Sequence, residues 1–196
     1  MSGRAASPLS FGKFMKNDMK LTEAILKTCK TDEHLLKKLT DELERQIPVD
    51  IREDHELYVK HIRVLPPGLR AMASTHELDV SITLDDLGWH FANHHSKPYS
   101  EETLWGLREL EAQEAADIFS RSYELVLPYW DKIGSLVCQD FKLFIDWYNE
   151  SDLEKILTPL NRKIWNLRER LGYYGFQSYW LVYARKYPEK VLNIFH

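Results

Sequence analysis

Apolar residues recur along this chain at intervals of three and four rather than two, the pattern of helices that bury one face. In TDEHLLKKLTDELERQIP, Leu35, Leu36, Leu39, Leu43 and Ile47 hold that spacing up to Pro48. Thr31 stands where an N-cap belongs, and Asp32 and Glu33 complement the helix dipole. A shorter helix is predicted through LTEAILKTC, another through HELYVKHIRVL, and a third through GLRAMASTHEL, with the second residue of the Pro66-Pro67 pair suited to a first turn. The stretch LDVSIT is ambiguous, since β-branched residues alternate there.

Further on, Thr83 is placed to cap LDDLGWHFANHH, with Asp85 and Asp86 in its first turn, and SKPYS to end it. Ser100 is placed to cap EETLWGLRELEA, where Leu104, Leu107 and Leu110 form a stripe. The pattern continues through AADIFSRSYELVLPYWDKI, which Pro128 should kink or divide. Three more helical stretches follow: DFKLFIDWYN, DLEKILTPLNRKIWNLRERLG and FQSYWLVYARKYPEKVLNIF. The expectation is an all-α fold in a single compact multi-helix domain over residues 11–196, behind a loose leader over residues 1–10, with order starting near Phe11 or Phe14.

Composition changes this picture little. The 196 residues are 44% hydrophobic and 29% charged, enough material for one sizeable core. Cys29 and Cys138 are far apart and form no metal-knuckle spacing, which disfavours a disulfide framework and fits a reducing cytoplasm. No apolar run suits a signal peptide or a membrane span, so the reading is a cytoplasmic protein without a membrane partner.

Charge alters the picture more. From Ala71 to Asp131 twelve acids face three bases, a net charge of −9 in a chain whose total is −4. The stretch from Arg162 onward is basic, with Arg168, Arg170, Arg185, Lys186 and Lys190 among its cations. Such asymmetry steers oppositely charged partners if the two segments occupy opposite sides.

Candidate chemistry centres on ITLDDLGWHFANHHSKPYSEETLWGL. His90 and His94 share a helical face and could hold a metal with His95, but the stretch lacks the H-E-x-x-H glutamate and no further ligand follows from spacing. Asp85 and Asp86 read more simply as dipole partners than as an acid–base pair, because adjacent helical residues diverge. No nucleophile elbow, phosphate loop or dinucleotide fingerprint is present, so a non-enzymatic role is favoured and no cofactor is assigned. The six tryptophans lie from Trp89 onward, and YYGFQSYW is a candidate pocket wall, with Tyr173, Tyr174, Tyr179 and Trp180.

Residues 65–126, on Gly88, Trp89 and Asn93 and then Glu102, Thr103, Leu107, Ala112 and Ala116, resemble a family of small all-helical bacterial proteins that includes a DNA mimic. The resemblance implies a compact helical domain presenting carboxylates where a DNA-binding protein expects phosphates. The leading expectation is therefore a protein-binding module that contacts a basic partner through Asp85, Asp86, Glu101 and Glu102, with Trp89 and His90 as anchors. Direct nucleic-acid binding is disfavoured, since the C-terminal cations are interleaved with aromatics at core-like spacing. Two alternatives remain: a helical metalloenzyme using His90 and His94, and a small-molecule sensor with an aromatic C-terminal pocket.

Overall fold

A computed structural model describes residues 21–192. The expected leader over residues 1–10 and the start of order near Phe11 or Phe14 lie outside them. Among the described residues every regular element is helical: α1 (Glu23–Thr28), α2 (Asp32–Gln46), α3 (His55–Ile62), α4 (Pro67–Leu84), α5 (Leu87–Asn93), α6 (Lys97–Glu109), α7 (Gln113–Val126), α8 (Trp130–Gln139), α9 (Phe141–Glu150), α10 (Asp152–Arg170), α11 (Gln177–Lys186) and α12 (Pro188–Val191), with short 3₁₀ turns between some of them. One continuous core runs from Leu21 to Val191, so the all-α, single-domain expectation holds.

The central element is α4. It packs against α2, α3, α5, α6, α10, α11 and α12, and it is buried around most of its circumference through small residues such as Gly68, Ala71, Ala73, Ser74 and Thr75. Small side chains let neighbouring backbones approach closely. On α6, Gly106 sits directly over α4: a Cβ added there would lie 2.1 Å from Ser74 Oγ and 3.0 Å from the Ala71 carbonyl oxygen. Beside it, Thr103 Oγ1 donates to the Ser74 carbonyl at 3.0 Å or less (2.9 Å). From the other flank, Trp180 Nε1 donates to Thr75 Oγ1 at 3.1 Å. These bonds satisfy polar atoms in the dry interior and fix the height of α6 and α11 on α4.

The ambiguous LDVSIT is the last part of α4, because Leu78, Ser81 and Ile82 fall on its buried face. Tertiary packing overrides the weak β preference of Val80 and Ile82. Thr83 is therefore inside α4, donating to the Asp79 carbonyl at 2.6 Å, and the cap of α5 is Asp86. Likewise Ser96, not Ser100, caps α6, accepting from Tyr99 N at 3.3 Å. Pro98 then falls in the first turn of α6, where a missing N–H costs nothing, so SKPYS opens a helix rather than closing one. Pro128 divides α7 from α8 as expected. Pro188 also splits the last stretch, holding Tyr187 at φ −131° and ψ 59° between α11 and α12, since a residue before proline avoids the helical region.

The Gly106→Ala variant is expected to lose about 1–3 kcal/mol of unfolding free energy through overpacking. Adding Ser74→Ala, which removes the nearest atom, should recover part of that loss. Urea denaturation of the two single variants and the double variant measures this, and additive losses would show that the two positions do not couple.

Candidate functional site

The candidate site is a cavity of about 480 Å³ bounded by α2, α3, α4, the end of α5, α6 and α11. Its chemistry comes from His55 and Tyr58 on α3, His76 and Glu77 on α4, His94 at the end of α5, Tyr99 on α6 and Trp180 on α11. Leu43, Ile47 and Ala73 supply apolar wall, while Glu44 and Glu53 stand exposed at the mouth.

Local signals place each group. Asp54 caps α3 by accepting from the Glu56 and Leu57 amides, so His55 becomes the first helical residue. Asp86 caps α5, and its carboxylate also accepts from Tyr148 Oη and Asn161 Nδ2, each at 3.0 Å. That bonding ties α5 to α9 and α10 and leaves His94 at the far end of α5, over the cavity. Burial raises the Asp86 pKa, with the hydrogen bonds from Trp89 N and Tyr148 acting in the opposite direction.

His55 Nε2 and His94 Nδ1 are 3.3 Å apart and share one hydrogen bond. Tyr99 stacks beside both, with ring centroids 5.2 Å from His55 and 5.4 Å from His94. His76 adjoins Trp180 at 5.9 Å. Glu77 lies between the histidines, its carboxylate oxygens 4.0 Å from His76 Nε2 and 4.0 Å from His94 Nε2, beyond hydrogen-bond reach.

Burial disfavours the charged form of His55, His90 and His94. It pushes the His94 pKa down to about 4, assisted by His55. His55 is also lowered, chiefly by burial, against the opposing charges of Asp54 and Glu77. His90, behind His94, is also lowered, chiefly by its complete burial. Burial raises the Tyr58 and Tyr99 pKa values, so both phenols stay protonated at neutral pH.

Two polar atoms at the cavity, Tyr99 Oη and His76 Nδ1, are buried without a hydrogen-bond partner of ordinary geometry, as is His90 Nε2 behind it. Tyr99 is 1% exposed. Buried polar groups left unpaired are uncommon and point to a missing partner.

The residues expected to face a basic partner separate. Asp85 and Glu101 are exposed, and Trp89 is half-buried against Phe141 and Phe144. His90 is 1% exposed, with Nδ1 engaged by Ser81 Oγ at 3.0 Å, so it is not a surface anchor. Glu102, also 1% exposed, takes Arg63 Nε at 2.7 Å and Arg70 Nε on its other oxygen. Both are held inside by partners that their burial requires.

The charge asymmetry is also internal. The basic C-terminal stretch folds onto the acidic middle: Arg170 pairs with Glu114 at 2.6 Å, Lys186 with Glu111 at 2.6 Å, Lys190 with Glu109 at 3.1 Å and Arg168 with Asp79 at 3.6 Å. The two segments are thus neighbours rather than opposite poles.

The rings of the expected His90–His94 metal pair stay neighbours, with centroids 5.0 Å apart, but His94 Nδ1 faces His55 Nε2 and His90 Nδ1 faces Ser81 Oγ. Among the described residues no group of three or more His, Cys, Asp or Glu is arranged to hold a metal ion. Of the C-terminal aromatics, Trp180 lines the cavity, while Tyr173 and Tyr174 border a separate hollow with Arg168 and Asp79.

Spacing gave no hint of His55, Tyr58, His76, Glu77 or Tyr99, since they meet only through packing. The one available signal was histidine at helix ends, where a ring can leave the helix surface.

The chain matches no protein-family model, no curated protein and no solved structure. The residues that carry the resemblance to the helical bacterial family have packing roles here. Gly88 lies against Tyr148, Thr103 bonds to α4, and Leu107, Ala112 and Ala116 are buried. Among the described residues no helix is long and apolar enough to cross a membrane.

In the unfolded chain His94 has its ordinary pKa near 6.5 and binds protons that the folded chain refuses until about pH 4. Stability is therefore fully present above that window and falls as pH drops through it, by up to about 3 kcal/mol from this residue. An NMR titration should place the His94 imidazole well below pH 5.5, and His94→Phe should flatten the pH dependence of unfolding between pH 4 and 6.5. A His94 pKa near 6.5 would contradict the burial.

Proposed function

We propose that this protein binds a small organic molecule in the α2–α3–α4–α6–α11 cavity. The observation that carries the reading is a cavity of about 480 Å³, within the range of ligand sites, in which the buried Tyr99 hydroxyl and His76 Nδ1 lack partners. Aromatic and imidazole rings provide flat apolar walls, and a few convergent polar atoms provide orientation. Rings held by neighbouring helices are preorganised, so little ordering is required on binding.

No Ser or Cys is among the lining residues, and Glu77 stands 4.0 Å from His94 Nε2, beyond hydrogen-bond reach. The site favours recognition over turnover. The aromatic C-terminal segment contributes through Trp180, which reaches the cavity from α11. A docking face for a basic protein, such as a DNA-binding one, has less support: Glu102 and His90 lie in the interior, and Glu109, Glu111 and Glu114 are engaged by C-terminal cations.

A fragment library screened by NMR is expected to shift the His55, His94 and Tyr99 ring resonances. A bound fragment at about 100 times its Kd should add about 2.7 kcal/mol of stability, visible as a rise of several degrees in Tm. The His94→Trp variant, which fills the space with an indole, should lose both responses. Absence of pocket shifts, together with salt-sensitive capture of a basic protein abolished by Asp85→Lys and Glu101→Lys, would overturn the reading in favour of the acidic face.

A further inference from the structure

We infer that the ligand of this cavity is an organic cation, a protonated amine carried on a flat apolar body, with Glu77 as its counter-ion. The inference rests on the ligand-binding reading above and names the chemistry that the site selects.

Charge comes first. The cavity and its mouth hold the carboxylates of Glu44, Glu53 and Glu77 against one guanidinium, that of Arg52. Arg52 donates Nη2 to the Ile47 carbonyl at 3.1 Å and keeps its charge, so three carboxylates face one guanidinium, a net charge of −2. The imidazoles of His55 and His94 add no positive charge at neutral pH, because burial holds them in the neutral form. A ligand carboxylate would therefore meet three like charges against one exposed guanidinium, whereas an ammonium would meet net attraction in a partly desolvated site.

The neutral histidines also supply acceptors. A pair sharing one proton between His55 Nε2 and His94 Nδ1 has one outer nitrogen that donates and one that accepts, whichever ring gives the proton. The Glu77 carboxylate, 4.0 Å from His94 Nε2, favours the proton on that nitrogen. His55 Nδ1 then remains the acceptor. The unpartnered Tyr99 hydroxyl can accept from the same ammonium, whose hydrogens can divide between the phenol oxygen, an imidazole nitrogen and Glu77.

The walls suit the rest of such a molecule. Tyr58, Tyr99 and Trp180 line the cavity, and aromatic rings attract a cation as well as an apolar ring. Leu43, Ile47 and Ala73 make the remaining lining apolar, so a bare inorganic cation would leave most of the cavity unfilled.

The test is calorimetry at pH 7.5 with the full chain and three ligands of one shape: 2-phenylethylamine, 2-phenylethanol and phenylacetate. The amine is expected to bind at least about tenfold tighter than the alcohol, and phenylacetate weakest. Glu77→Gln should erase the preference of amine over alcohol. Equal or tighter binding of phenylacetate, or an amine preference that survives Glu77→Gln, would overturn the inference while leaving the pocket as a ligand site. Stoichiometric zinc binding lost in His55→Ala, with no response to the amine, would overturn it in favour of a metal. If none of the ligands, zinc included, binds or shifts the His55 and His94 resonances, both the inference and the ligand-binding reading fail.

Discussion

The candidate cavity depends on the close approach of α6 to α4. Gly106 allows it, resting on Ser74 and Ala71 where a side chain would collide, and Thr103 pins it through the Ser74 carbonyl. Close packing of two backbones leaves little room for slippage, because interiors are dense and sub-ångström shifts are felt. α4 carries His76 and Glu77, and α6 carries Tyr99. The spacing between these groups is set by that contact. Trp180 reaches the same region by bonding to Thr75, one residue along α4 from Ser74.

Electrostatics then divides the charged residues into two populations. On the surface, the basic C-terminal segment neutralises the acidic middle through pairs such as Arg170–Glu114 and Lys186–Glu111. Exposed pairs of that kind contribute little stability each, yet together they offset part of the asymmetry that the linear charge count suggests. In the interior, burial suppresses the charge of His55, His90 and His94. What remains at the cavity is carboxylate, neutral imidazole and phenol. That combination accepts hydrogen bonds more readily than it donates them, and it favours a cationic guest over an anionic one.

The helices were legible in the sequence because a 3.6-residue period survives any packing arrangement. Thr31, Pro67 and Pro128 act as the local signals suggest. Boundaries between Thr83 and Ser100 were misplaced, since two equivalent capping residues compete in each turn and packing chooses: Asp86 over Thr83, Ser96 over Ser100. The cavity was almost invisible. His55 and His94 lie 39 residues apart in the chain, and no periodicity relates them. Charge counting misdirected attention for a related reason, because a run of acids in sequence says nothing about the cations that fold against it. Of the four aromatics expected at a pocket wall, Tyr173, Tyr174, Tyr179 and Trp180, Trp180 lines the cavity while Tyr173 and Tyr174 border the separate hollow.

The most direct test of the central claim is a crystal structure of the full chain soaked with 2-phenylethylamine. The account predicts the ammonium beside Glu77 and within hydrogen-bond reach of Tyr99 Oη or the His55–His94 pair, with the ring against Tyr58 or Trp180. Density for the ligand in the hollow beside Arg168 and Tyr173, or an empty cavity at saturating amine, would contradict it.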